Sequence, residues 1–110
     1  MDLPHGSAND LMVRPAEHRG AFFRVLQETA ASQTAVMTIA SGQDAGPEES
    51  HGGDQIVYVL EGQAEVRVGA TRLTAGPGAL VLIPAGERHH VRNPGPGSLF
   101  FLTVYAPPEY

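Results

Sequence analysis

The sequence predicts an all-β domain closed as a sandwich or barrel, and three observations carry that prediction. The apolar residues fall in short runs with β-branched and aromatic enrichment. Those runs are punctuated by 13 Gly and 9 Pro in 110 residues. No apolar stripe at helical spacing extends beyond about two turns. Short strands with turns about every ten residues define the sandwich and barrel architectures.

Residues 1–20 are polar, contain Pro4 and Pro15, and read as an N-terminal arm or edge strand ahead of a barrel spanning 21–110. Phe22 to Gln27 is β-like, although the stretch to Ala31 would also tolerate a helix. Thr34 to Ala40 is rich in β-branched residues and forms the next strand. Ser41 to Ser50, with two Gly and one Pro, is a loop. Gln55 to Glu61 is apolar at both alternating sets of positions, so both faces are expected to be covered. A turn at Gly62-Gln63 leads to Ala64–Val68, where Ala64, Val66 and Val68 alternate with Glu65 and Arg67. Gly69-Ala70 makes a hairpin into Thr71–Thr74. After Gly76-Pro77-Gly78 come Ala79–Ile83 and, beyond Pro84, His89–Asn93. Asn93-Pro94-Gly95-Pro96-Gly97 is excluded from a central strand by its prolines. Leu99 to Tyr105 completes the set and Pro107-Pro108 stops it.

Composition excludes several function classes. The net charge is −5, without a basic block, which argues against a nucleic-acid surface. Cysteine is absent and all seven basic residues are Arg. Disulfides, thiolate ligands and a lysine Schiff base are therefore excluded. No apolar run reaches the roughly 20 residues that span a bilayer. Residues 1–6 lack a basic region followed by an apolar one, so a cytoplasmic location without membrane partners is expected. Ser50-His51 is not a hydrolase pair, because adjacent strand residues point apart and no nucleophile elbow is present.

Two clusters of metal-capable side chains stand at strand ends. One runs from Glu49 through His51 to Gln55. The other contains His89 and His90. They are expected to meet in space and hold one divalent metal ion. Gly78, Pro84, Gly86, His89 and Asn93 also stand at the spacing of the second cupin motif. Glu49, His51, Gln55 and Gly62 match the first motif in spacing, with Glu in place of its first His and Gln in place of its Glu. Over residues 35–108 the chain thus resembles a small single-domain cupin. Its E-x-H-x-x-x-Q variant and proline-containing tail are similar to the subgroup called mannose-6-phosphate isomerase-like, whose namesake isomerases are much larger.

The resemblance implies a double-stranded β-helix, or jelly-roll barrel, with Glu49, His51, Gln55 and His89 as metal ligands. Strand parity agrees: if Gln55 points inward, so do Val57 and Val59, and Glu49 shares parity with His51. A mixed oxygen and nitrogen set suits Fe, Mn, Ni, Co or Zn. The bland alternative makes His51 and Gln55 hydrogen-bonded interior groups. The expected ligand is a small oxygenated molecule, a sugar or keto-acid. The alternatives are a non-catalytic ligand-binding or sensor module and an Fe-dependent dioxygenase. No catalytic residue is assigned.

Asp54 is a candidate to orient His51 from behind. His90 should face away from the site, and His5 and His18 should be exposed. Glu48 should be solvated. Arg14, Arg24, Arg88 and Arg92 could recognise an acidic substrate, and Tyr58 or Tyr105 could serve as a general acid if it lines the barrel. Ile56, Tyr58 and Leu60 form a second apolar face that a single barrel would leave open, which predicts a homodimer.

Overall fold

A computed structural model of the chain describes residues 10–110. Eight strands are present among them: β1 Phe23–Glu28, β2 Gln33–Ile39, β3 Asp54–Glu61, β4 Ala64–Val68, β5 Thr71–Ala75, β6 Leu80–Ile83, β7 His89–Arg92 and β8 Leu99–Ala106. Each lies within a residue or two of its expected position. The described part of the arm carries a short 3-10 turn, Pro15–His18, instead of a strand. Met1 to Asn9, and with them His5, lie outside the described residues.

The strands form two antiparallel sheets, one ordered β1-β2-β8-β3-β6 and the other β5-β4-β7. They face each other as a jelly roll, the double-stranded β-helix. The core between them comprises Ile39, Val57, Val59, Val66, Val81, Ile83, Val91, Leu99 and Phe101, with Ala64 and Ala75 where space is short. Alternation sets the facing of each strand. On β3, Gln55, Val57 and Val59 are buried, while Ile56 and Tyr58 are 38% and 36% exposed.

The expectation that both faces of β3 are covered is thus met on one side only. The outer side of β3 continues onto β6, where Leu80 and Leu82 are exposed. Leu60 departs from the predicted open face. It packs on a second cluster of Leu26, Val36 and Phe100, which the arm covers with Val13. Arg19 adds its guanidinium 5.3 Å from the Phe100 ring centroid and bonds Glu61 at 2.7 Å. The arm therefore shields one half of the outer face and leaves the β3–β6 half open.

Asn93 explains one motif position structurally. It is 1% exposed. Its amide nitrogen donates to the Ile39 and Gly97 carbonyls, both at 2.8 Å, and its oxygen accepts from the Gly95 amide at 2.8 Å. One side chain thereby satisfies three main-chain groups, two in the 93–97 loop and one at the end of β2.

Candidate metal centre

The site is built by pinning one loop to one strand. Residues 41–50 run alongside β7 and bond to it through main-chain groups. The Glu49 amide donates to the His89 carbonyl at 3.1 Å, and the His89 amide donates back to Glu49 at 2.8 Å. Two candidate ligands are therefore cross-strand partners, which fixes their separation independently of side-chain packing. Gly86 donates its amide to the His51 carbonyl at 2.8 Å. It does so at φ +81°, a left-handed conformation that favours Gly. Gly53 has a different reason: a Cβ there would sit 2.6 Å from the Pro107 ring, so β3 and the tail after β8 can approach closely only without a side chain.

Glu49, His51 and His89 converge. Each offers a ligand atom, and these atoms lie within 4.8 Å of one another. The His51 and His89 rings are 4.9 Å apart between centroids. His89 is buried, and its Nδ1 lies 3.2 Å from the Glu87 carbonyl oxygen. A carbonyl only accepts, so Nδ1 carries the proton and Nε2 keeps its lone pair. Burial, the largest influence, holds the His89 pKa below its ordinary value despite that bond. The ring is thereby kept in the neutral form that ligates metals.

His51 is also buried. Its Nε2 lies 3.5 Å from Glu49 Oε1, and its Nδ1 lies 3.4 Å from Glu109 Oε2. A carboxylate behind one ring nitrogen is the arrangement that orients a ligating His. The residue in that place is Glu109, not Asp54. Asp54 instead accepts from the Ala85 amide at 3.0 Å, because it leads β3 on the parity opposite to Gln55.

Gln55 is 5% exposed. Its amide nitrogen donates to Thr103 Oγ1 at 3.0 Å and reaches the Tyr105 hydroxyl at 3.5 Å. Its Oε1 is buried without a hydrogen-bond partner among the described residues. A buried acceptor left unpaired costs about 1–3 kcal/mol, and a cation would remove that cost. The donor set of two imidazoles, one carboxylate and one orphaned amide oxygen therefore fits a divalent ion.

Tyr105 lines the interior. Its ring stands edge-on to His51 at 5.5 Å, and desolvation, the largest cause, pushes its pKa up to about 12. Tyr58, of opposite parity on β3, is on the outside. His90 faces away as expected, 3.2 Å from Asp44. Glu48 is not simply solvated: it bonds Arg67 at 2.6 Å and Arg88 at 3.1 Å. Two of the four arginines considered for an acidic substrate are paired with carboxylates. Arg88 pairs with Glu48 and Arg92 with Glu65, while Arg14, Arg24 and His18 line a groove beside the arm.

Sequence reasoning missed Thr103, Glu109 and Tyr110. The inward parity of Phe101, Thr103 and Tyr105 would have placed Thr103. Nothing local marks Glu109 and Tyr110, which follow a Pro-Pro stop.

Residues 35–105 match the family described as Cupin domain, and the chain belongs to that family. Among curated proteins it is similar to the uncharacterized protein SCO3923 of Streptomyces coelicolor, at 28% identity over 92% of this chain and 93% of that one. Among solved structures it is similar to BH2720 from Bacillus halodurans, with a TM-score of 0.84 and 31% identity over 92% of this chain and 84% of that one. The fold is shared with a cupin superfamily protein from Desulfitobacterium hafniense, at TM-score 0.75 and 16% identity over 94% and 97% of the two chains.

Proposed function

We propose that the barrel binds one divalent metal ion through Glu49, His51 and His89, with Gln55 as the fourth donor. The convergence of the three ionisable ligands carries this reading, and the orphaned Gln55 oxygen supports it. When bound, the ion supplies Lewis acidity toward a carbonyl or hydroxyl oxygen. The reading is of a cupin that binds or transforms a small oxygenated metabolite of the sugar or keto-acid type.

Tyr105 favours an enzyme over a purely binding module. Its hydroxyl is protonated at neutral pH, as an ordinary tyrosine is, and lies 3.5 Å from the Gln55 amide nitrogen. It faces the interior beside His51 and can hold a proton on an oxygen substituent of a ligand. Thr103 positions the Gln55 amide, and Glu109 fixes the orientation of His51. A homodimer completes the proposal. A second copy would cover Ile56, Tyr58, Leu80 and Leu82, which one barrel leaves to solvent.

Elemental analysis of protein purified without a His-tag, beside His89→Ala, tests the metal. Near-stoichiometric metal in the wild type and its loss in the variant are expected. Wild-type protein that stays metal-free after reconstitution with Fe(II), Mn(II), Ni(II), Co(II) and Zn(II) in turn would refute the site. The metal found directs the next assay: iron to oxygen consumption, the others to isomerisation of sugars.

A further inference from the structure

The segment after β8 does more than end the sheet. Tyr110 returns to the barrel mouth and packs its ring among Phe23, Tyr105 and His51, at centroid distances of 5.0, 5.2 and 5.9 Å. Its hydroxyl donates to Glu49 Oε1 at 3.0 Å, the oxygen that faces His51. Glu109 places its carboxylate behind His51.

The segment is fastened by one buried side chain. Gln33, on β2 and 1% exposed, donates from Nε2 to the Tyr110 main-chain oxygen at 2.7 Å. Its Oε1 accepts from the Tyr110 and Glu109 amides at 3.1 and 3.3 Å. A buried amide spends both of its ends on the backbone of two residues that have no strand partner.

We propose that Pro107–Tyr110 is a strap that closes the metal centre, with Tyr110 as its cap and Gln33 as its latch. The cap is not a core residue. Tyr110 remains 57% exposed, and the face it turns inward packs on Phe23, Tyr105 and His51 and occupies Glu49. Opening costs the latch bonds and the edge-on ring contacts. Those are of the size that local opening equilibria span without unfolding a domain. A ligand approaching from this side enters the barrel when the strap lifts and frees the Glu49 oxygen. The strap thus couples access to the hydrogen bonding of one candidate ligand.

The strap rests on the metal reading for its consequence but not for its existence, and two measurements separate them. In metal-free protein, carbethoxylation of His51 by diethyl pyrocarbonate is followed by mass spectrometry against His18 as internal reference. Tyr110→Ala should raise the His51-to-His18 rate ratio at least about tenfold, and Gln33→Leu should raise it in the same direction if that variant folds. An unchanged ratio in Tyr110→Ala overturns the strap. In Co(II)-loaded protein, chelator removal of the metal should accelerate in Tyr110→Ala by at least about tenfold. An unchanged removal rate overturns the strap as the route to the metal. If the wild type takes up no metal, the metal reading falls and the His51 ratio alone decides the strap.

Discussion

Asn93 and His89 are four residues apart in one motif and have unrelated tasks. His89 presents a lone pair to the interior. Asn93 presents none: all of its hydrogen-bonding capacity described above goes to the main chain. Asn93→Ala should therefore destabilise the fold by about 1–3 kcal/mol, the cost of orphaned buried groups. Urea unfolding would read this as a lower midpoint with the slope unchanged. His89→Gln keeps a polar side chain of similar reach but loses the imidazole nitrogen. It should keep the fold by circular dichroism and lose metal by elemental analysis; retention of stoichiometric metal would remove His89 from the ligand set. A sequence shows both residues as fixed motif positions and does not separate these roles, because the difference lies in which atoms each side chain meets.

At the scale of elements, the loop of residues 41–50 decides whether a site exists. It carries Glu49 and is tied to β7 at two places, Asp44 opposite Arg92 and Glu49 opposite His89. Asp44 strengthens the first tie. Its carboxylate accepts from the Gly46 amide at 3.0 Å and sits beside His90. The Gly46 bond, then His90, hold its pKa below the ordinary value. A carboxyl with a depressed folded-state pKa contributes stability that is present above its unfolded value and lost as pH falls through the folded one. The Asp44 contribution should accordingly persist at neutral pH and disappear only in acid below about pH 4. Carbon-13 NMR titration should place the Asp44 midpoint below that of an unfolded aspartate. His90→Ala should move it upward without fully normalising it, since the Gly46 amide remains; an unmoved midpoint would show that His90 takes no part. The sequence marked this stretch as a loop with two Gly and one Pro that carries the candidate ligand Glu49. Its register against β7 is a long-range pairing that no local pattern specifies.

For the whole molecule, the outer surface of the larger sheet is covered on one half and open on the other. The arm covers Leu26, Val36 and Phe100 through Val13 and Arg19. Leu80 and Leu82, on the edge strand β6, remain 70% and 59% exposed. An apolar edge strand is a template for pairing with another chain. At micromolar concentration the wild type should sediment as a dimer, and Leu80→Arg with Leu82→Arg should sediment as a monomer that keeps its fold. A monomeric wild type would remove the dimer from the proposal.

The sequence by itself determined the eight strands, because alternation and turn chemistry are local and the Gly and Pro positions leave few other boundaries. It determined the inward facing of Gln55 by parity, and it brought His51 and His89 together through a motif whose spacing reflects a fixed barrel geometry. Only the tertiary structure decided which carboxylate stands behind His51. It tied Asp54 to the Ala85 amide and brought Glu109 and Tyr110 back from beyond a Pro-Pro stop. It also decided that Leu60 is covered while Ile56 and Tyr58 are not, since that depends on where the arm lies. The physical reason is common to all of these. Facing along a strand follows from a two-residue period, whereas contacts between segments distant in sequence depend on sheet register, arm placement and the hydrogen bonds of a single buried glutamine, Gln33.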